Sequence, residues 1–220
     1  MIYRYALGML SLLFQQPILF LVWVVAILTA LTVHEFSHAL ASMSLGDETA
    51  KRLGRLTLNP AAHIDPVGLL ALVTVGFGWG KPVPFNGYNL RNQRWGPVLI
   101  ALAGPAMNLF VATIFGLILR VVSPMFGEGN LLIQFLYLSI YINISLLLFN
   151  LIPIPPLDGS KLLLALLAGY PSAARVRFWL ETRGPWVLFG LILSDMFLGL
   201  NIFGSLFRLI SGFIRVVVGV

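Results

Sequence analysis

The chain of 220 residues contains no cysteine. That absence excludes a disulfide framework, a thiolate zinc site and a cysteine nucleophile. Charge is scarce as well: Asp, Glu, Lys and Arg make up 10% of the residues, against 59% hydrophobic. Soluble domains carry about a quarter charged residues, so that class is excluded too. Histidine occurs only three times, at His34, His38 and His63, all inside one stretch of thirty residues. The formal charge of +6 does not point to nucleic acid. Its Lys and Arg residues sit in short loops between apolar runs, where they set membrane orientation instead.

What remains is hydrophobic sequence in runs long enough to cross a bilayer. The pattern predicts an all-α polytopic membrane protein with about four to six membrane helices and a short re-entrant or β-hairpin element. Residues 2–14 are apolar but short and are expected to lie at the interface, so 1–16 forms an N-terminal interfacial or membrane segment. No small-residue cleavage site precedes residue 44, and no cleaved signal peptide is expected. Spans are expected over 17–44, 97–121 and 130–152. Between the first two, a basic stretch over 50–60 with some alternation suits a short hairpin. The Gly- and Pro-rich run through Gly76, Gly78, Gly80, Pro82 and Pro84 argues against a continuous helix. Residues 160–169 read as a short helix and 170–184 as a basic loop. The remainder, 166–220 as a whole, holds one or two further membrane helices, or an interfacial one carrying Arg208 and Arg215.

Ten of the fourteen basic residues fall in 46–60, 81–96 and 161–184, and none in 122–130. Those three loops should be cytoplasmic. Residues 62–80 must then enter and leave the membrane on one side, which calls for a re-entrant segment or hairpin.

The chemistry sits at His34-Glu35-Phe36-Ser37-His38. On a helix over 17–44 the two histidines lie four apart on one face, a spacing that suits two imidazoles on one zinc ion. Glu35 can then accept a proton from water activated by that metal. Three ionisable groups in five residues at membrane depth are costly and point to function. A catalytic zinc takes three protein ligands. Asp158, after a Pro-broken helix end, is the first candidate for the third, although an Asp-Gly turn before a helix explains it as well. His63 and Asp65 are rivals, as ligands or as partners of ligands.

His34-Glu35-Phe36-Ser37-His38, Gly78-Trp79-Gly80, Ala103-Gly104-Pro105-Ala106-Met107-Asn108 and Asn150-Leu151-Ile152-Pro153-Ile154-Pro155-Pro156-Leu157-Asp158-Gly159 occur in that order. Together they resemble the site-2 protease family of intramembrane zinc metalloproteases, over roughly residues 17–165. The likeness is to its compact subgroup without PDZ or nucleotide-sensing domains. The resemblance implies one Zn2+ per chain held by His34, His38 and Asp158, with Glu35 as general base. It also implies hydrolysis of peptide bonds in or near transmembrane segments of membrane-protein substrates. Gly78 and Gly80 would belong to the re-entrant loop that holds a substrate extended, and 17–165 would be the protease core. Pro-Leu-Asp-Gly stands where some members have Pro-Asp-Gly. His63, Asn108 and Asn150 are candidate oxyanion donors, although buried asparagines commonly bridge helices. The expected setting is the lipid bilayer of a prokaryotic plasma membrane, with the site toward the cytoplasm. A metal carrier or an inactive protease scaffold are the alternatives. The first would show internal repeats, which are absent from the sequence, and the second would not need His34, Glu35, His38 and Asp158 intact.

Overall fold

The computed structural model describes residues 9–75, 77–127 and 129–200, with isolated positions at 204, 205, 208 and 212. The expected C-terminal helix around Arg208 and Arg215 therefore lies almost wholly outside the described residues.

Among the described residues eight named α-helices follow in order: α1 (Met9–Gln15), α2 (Pro17–Ser44), α3 (Thr49–Arg52), α4 (Pro66–Val75), α5 (Gly96–Val122), α6 (Leu131–Asn150), α7 (Gly159–Leu167) and α8 (Ala174–Leu198). Among the described residues, α2, α5 with the turn after it, and α6 are long and apolar enough to cross a membrane. The chain is a membrane protein with three such helices in view, fewer than the expected four to six.

Local chemistry sets the helix ends. Pro17 opens α2, where its missing N–H is not needed. Asn130 caps α6, its side chain accepting from Leu132 N at 2.8 Å. Asn92 orders the turn that leads into α5, accepting from Arg94 N and Trp95 N at 3.0 and 2.9 Å. Bulky apolar residues such as Leu21, Val25, Leu117 and Val121 stay exposed on the outer faces, as a lipid-facing surface requires.

In lipid no hydrophobic force drives helices together, so packing of small residues and hydrogen bonds must do it. On α2 the fully buried Ala26 and Ala30 lead, four residues at a time, into His34, His38 and Ser42. On α5 the matching face runs through Ala101, Gly104, Pro105, Asn108 and Ala112. Helix α6 closes the three-helix core. Leu138 and Ile142 pack with the alanines of α2, and Leu136 and Ile140 with Ala112 and Leu119 of α5.

Residues 63–81 fold back on themselves. Ile64 and Gly80 form an isolated antiparallel bridge, and Lys81 N donates to His63 O at 2.8 Å. The outward arm is α4, capped by Asp65 accepting from Val67 N and Gly68 N, both at 2.9 Å. The return arm is non-helical. A Cβ on Gly68 would strike the Trp79 carbonyl, and one on Gly78 would strike the Gly68 carbonyl, so the two arms touch backbone to backbone. The connection expected to be re-entrant is a helix-and-coil turn-back; among the described residues no strand is formed, so the expected β-hairpin is not seen there. Arg55 braces its base from outside, donating to the carbonyls of Lys81 and Pro82.

Two other expectations change. The 50–60 stretch contains the single-turn α3 and turns rather than a hairpin, with Gly54 at φ 69° ending the helical turn. The expected basic loop over 170–184 is mostly the start of α8. Its Arg and Glu residues are good helix formers, and they outweigh Gly184 and Pro185.

Candidate metal centre

His34 and His38 project from the inner face of α2, one helical turn apart, and both are buried. Their rings meet edge to face with centroids 4.6 Å apart. Asp158 reaches them from outside the bundle core through the turn that follows α6. That turn is tight: Ile154 N bonds to Ile152 O and Leu157 N to Ile154 O. Gly159 packs directly on the Leu151 carbonyl, where any side chain would collide. Ser160 Oγ closes the turn by donating to Leu157 O at 2.6 Å. The Asp-Gly pair is therefore more than a helix start, because the glycine allows the chain to fold back and carry the aspartate inward.

Three ligand atoms converge. His34 Nε2 and His38 Nε2 are 3.0 Å apart, and Asp158 Oδ2 lies 3.2 and 3.3 Å from them. No other group of His, Asp or Glu side chains with this closeness occurs among the described residues. Both opposite ring nitrogens face acceptors: His34 Nδ1 meets Asn108 Oδ1, and His38 Nδ1 meets the Ile100 carbonyl at 2.7 Å. Each Nδ1 therefore carries the proton in the neutral ring, which leaves Nε2 a bare lone pair. Two imidazole lone pairs and a carboxylate oxygen at this spacing repel one another unless a cation lies between them. Tetrahedral zinc with N and O donors at 2.0–2.2 Å sets neighbouring donors about 3.3–3.6 Å apart, a small opening of the observed triangle. The donor set fits that ion in both chemistry and size.

The protein builds the cradle with a glycine. A Cβ on Gly104 would lie 2.5 Å from His38 Nε2 and 2.6 Å from His34 Cε1. The rings rest on bare backbone of α5, one residue before Pro105. Asn108 is fully buried below them, and its amide also donates to Ala30 O at 3.3 Å and Asn143 Oδ1 at 2.8 Å.

Glu35 stands beside His34, almost buried, and its Oε2 has no hydrogen-bond partner. It opens on a cavity of about 620 Å³. One wall is the face of α2 that carries Leu31 and His34; the others come from the hairpin with Gly78 and Gly80, the end of α6 with Phe149, and α8 with Leu188. Phe77 and Phe149 touch across it, with ring centroids 5.9 Å apart. Gly80 lies against Leu31, one turn before His34, so the hairpin and the metal ligands share one side of α2.

The remaining candidates divide. Asn150 lines the cavity and donates to Leu146 O at 3.0 Å, keeping a second amide hydrogen. Asp65 lines it too but is occupied in capping α4. His63 is fully buried away from the ligand cluster, its Nε2 donating to Thr57 O at 2.8 Å, where it braces a loop. The donors of Asn108 are turned toward Ala30 and Asn143, so its place is beside His34 and not at the cavity. Gly104 was read from the sequence only as part of the Ala103–Asn108 motif, and Asn143 and the Ile100 carbonyl were not singled out. An amide in the middle of an apolar span was the available signal for Asn143.

The chain is similar to known proteins. The model of "Peptidase family M50" matches residues 123–189, the stretch that contains Asn143, Asn150 and Asp158. The chain is 41% identical over 146 residues to "Putative zinc metalloprotease YwhC" of Bacillus subtilis, covering 64% of this chain and 66% of that one. It is 33% identical over 143 residues to "Putative zinc metalloprotease Rip2" of Mycolicibacterium smegmatis, covering 60% and 52%. A shorter likeness, 41% over 64 residues, joins it to "Putative zinc metalloprotease MJ0611" of Methanocaldococcus jannaschii, covering 29% and 31%. The matched stretch thus spans about two thirds of the first relative and half of the second. No solved structure gives a match. With two imidazoles, one carboxylate and a neighbouring glutamate gathered in a bundle of apolar helices, the chain belongs to peptidase family M50, the site-2 protease family.

Proposed function

We propose that the protein is an intramembrane zinc metalloprotease that hydrolyses peptide bonds in or near the transmembrane segments of membrane proteins. The observation that carries this is one juxtaposition: the converging Nε2, Nε2 and Oδ2 atoms beside an unpartnered glutamate oxygen, at the end of an apolar cavity. His34, His38 and Asp158 would hold one zinc, which when bound supplies Lewis acidity toward water and a substrate carbonyl. Glu35 Oε2, free of hydrogen bonds, accepts the proton of the attacking water and returns it to the departing amide nitrogen. Asn150 faces the cavity with an amide hydrogen to spare and can donate to the oxygen that gains charge.

The apolar walls suit the side chains of a membrane segment. A helical segment must unwind to expose its carbonyls, and the non-helical return arm over 77–86 offers backbone groups beside the cavity for strand-like pairing. The basic loops at 46–60 and 81–96 lie at the end of the bundle nearer the ligands. By the excess of positive charge that end is cytoplasmic, in the plasma membrane of a prokaryote.

The test compares wild type with Glu35→Gln, expressed in cells from which membranes are taken for mass spectrometry of new protein N-termini. Wild type should generate termini inside predicted membrane segments that Glu35→Gln lacks, at equal zinc per chain. Removal of a general base costs about 10²–10⁴ in rate. Identical termini from both proteins would overturn the reading, and a carrier would instead keep its metal flux in the variant.

A further inference from the structure

The metal centre rests on a relay of amides that reaches across all three long helices. It starts on α6, where Asn143 Nδ2 donates to Ser139 O at 2.7 Å. That bond turns Asn143 Oδ1 toward α5, where it accepts from Asn108 Nδ2 at 2.8 Å. Asn108 Nδ2 also donates to Ala30 O on α2 at 3.3 Å, so both its donor contacts lie on the side away from the histidine. Only Asn108 Oδ1 is left to face His34 Nδ1. Asn108 and Asn143 are buried to 0% and 1% exposure, so water does not compete for any of these groups.

The direction of the relay matters because an amide has two faces. If Asn108 were flipped, its oxygen would oppose Asn143 Oδ1 and Ala30 O, both acceptors, and its NH2 would face His34 Nδ1. The histidine would then have to accept at Nδ1 and carry its proton on Nε2, the atom that points at His38 and Asp158. That proton would displace a cation. Asn143 forbids the flip. His38 needs no such device, because its partner is a backbone carbonyl that cannot turn round.

We propose that Asn143 is a positioning residue for the metal centre: acting through Asn108, it holds the proton of His34 on Nδ1 and leaves Nε2 free to bind metal. This rests on the metalloprotease reading of the site. Asn143 lies off the cavity wall and touches neither the ligands nor the space a substrate would occupy.

The test uses the full chain in detergent, labelled with [15N]histidine, freed of zinc by chelation and held above about pH 8 so that imidazoles are neutral. Nitrogen shifts report the tautomers directly. In wild type, His34 and His38 should carry the proton on Nδ1, and His63, which donates from Nε2 to Thr57 O, on Nε2. Asn143→Leu should give His34 a substantial Nε2–H population and weaken zinc binding about 10–100-fold, the usual cost of losing a partner that orients a ligand. In an Asn108→Leu background, Asn143→Leu should cost no further affinity, because the intermediary is gone.

His34 protonated on Nε2 in wild type would overturn the proposal, a result that needs no variant to fold. So would unchanged zinc affinity in a folded Asn143→Leu, or a loss of equal size with and without Asn108. Wild type that binds no zinc yet shows the Nδ1–H tautomer would sink the metal reading while leaving the hold of Asn143 on His34 supported.

Discussion

Replacing Gly104 with alanine adds one methyl group where the structure has no room for it. The new Cβ would sit 2.5 Å from His38 Nε2 and 2.6 Å from His34 Cε1. Carbon contacts are comfortable at about 3.5–4.0 Å, so roughly 1 Å of movement is needed. Helix backbone supplies the methyl on one side, and the histidine rings are pinned at Nδ1 on the other. Whichever yields, the 3.0–3.3 Å triangle of ligand atoms opens or skews. Overpacking of this kind costs about 1–3 kcal/mol of stability. A 1 Å misplacement at a reacting centre costs about 10² in rate, close to 2.7 kcal/mol of barrier. Gly116 is the control, since it lies on the same helix and a Cβ there meets nothing within 4 Å. Gly116→Ala should be neutral or stabilising by up to about 1 kcal/mol. The assay is zinc per chain after dialysis against graded chelator, with a thermal melt of each metal-free protein. Gly104→Ala should lose zinc at a chelator level that wild type and Gly116→Ala withstand. A folded Gly104→Ala with wild-type zinc affinity would refute the argument, because it would mean the rings do not rest on that glycine when metal is bound.

Asp158→Ala removes the only carboxylate in the ligand triangle and should strip zinc from the purified protein, whereas Asp65→Ala should retain it; metal analysis of the two decides. Asp47 offers a test outside the membrane helices. It is fully buried and accepts from Ser42 Oγ, Thr49 N and Oγ1, Asn86 N and Asn89 Nδ2. Burial pushes its carboxyl up, but the hydrogen bonds from Thr49, Asn89 and Asn86 outweigh that and hold it well below the usual carboxylate range. A depressed pKa in the folded state means stability present above about pH 4 and lost as pH falls toward the folded value. Thermal midpoints should therefore drop below about pH 4, and Asp47→Asn should flatten that acid limb while costing about 2–4 kcal/mol at neutral pH. A wild-type acid limb that survives unchanged in Asp47→Asn would assign it to other groups.

The parts legible in the sequence were those governed by local period. Two histidines four apart must share a face of any helix, and the apolar run from 17 to 44 had to be one. Asp158 was harder. Nothing within its own segment distinguishes a ligand from a turn residue, and the answer lies in Gly159 packing on Leu151, a contact that depends on how the chain folds back. Asn108 was visible as a buried polar residue, but its direction was not, since an amide offers donors and acceptors equally and only Asn143 and Ala30 choose between them. The start of helix α8 was misread as a basic loop over 170–184. In the structure Gly184 lies close against Pro155 of the Asp158 turn, so the small residue serves packing between segments and the helix continues through it.

One face of α2 performs two tasks in sequence, and the order follows from the solvent. Toward its N-terminal half the face is Ala26 and Ala30, small enough for α5 and α6 to come close where lipid offers no other attraction. Toward its C-terminal half the same register carries His34, His38 and Ser42, whose polar atoms could not be left unpaired at that depth. The Ala30 carbonyl joins the two halves, because it accepts from the same Asn108 amide that faces His34. The hydrogen bonds that tie the bundle together are therefore also the ones that aim the ligands. A change that loosens the packing at Ala30 acts on the metal centre through Asn108, and a change in the ligands is felt in turn by the helix contacts that hold them.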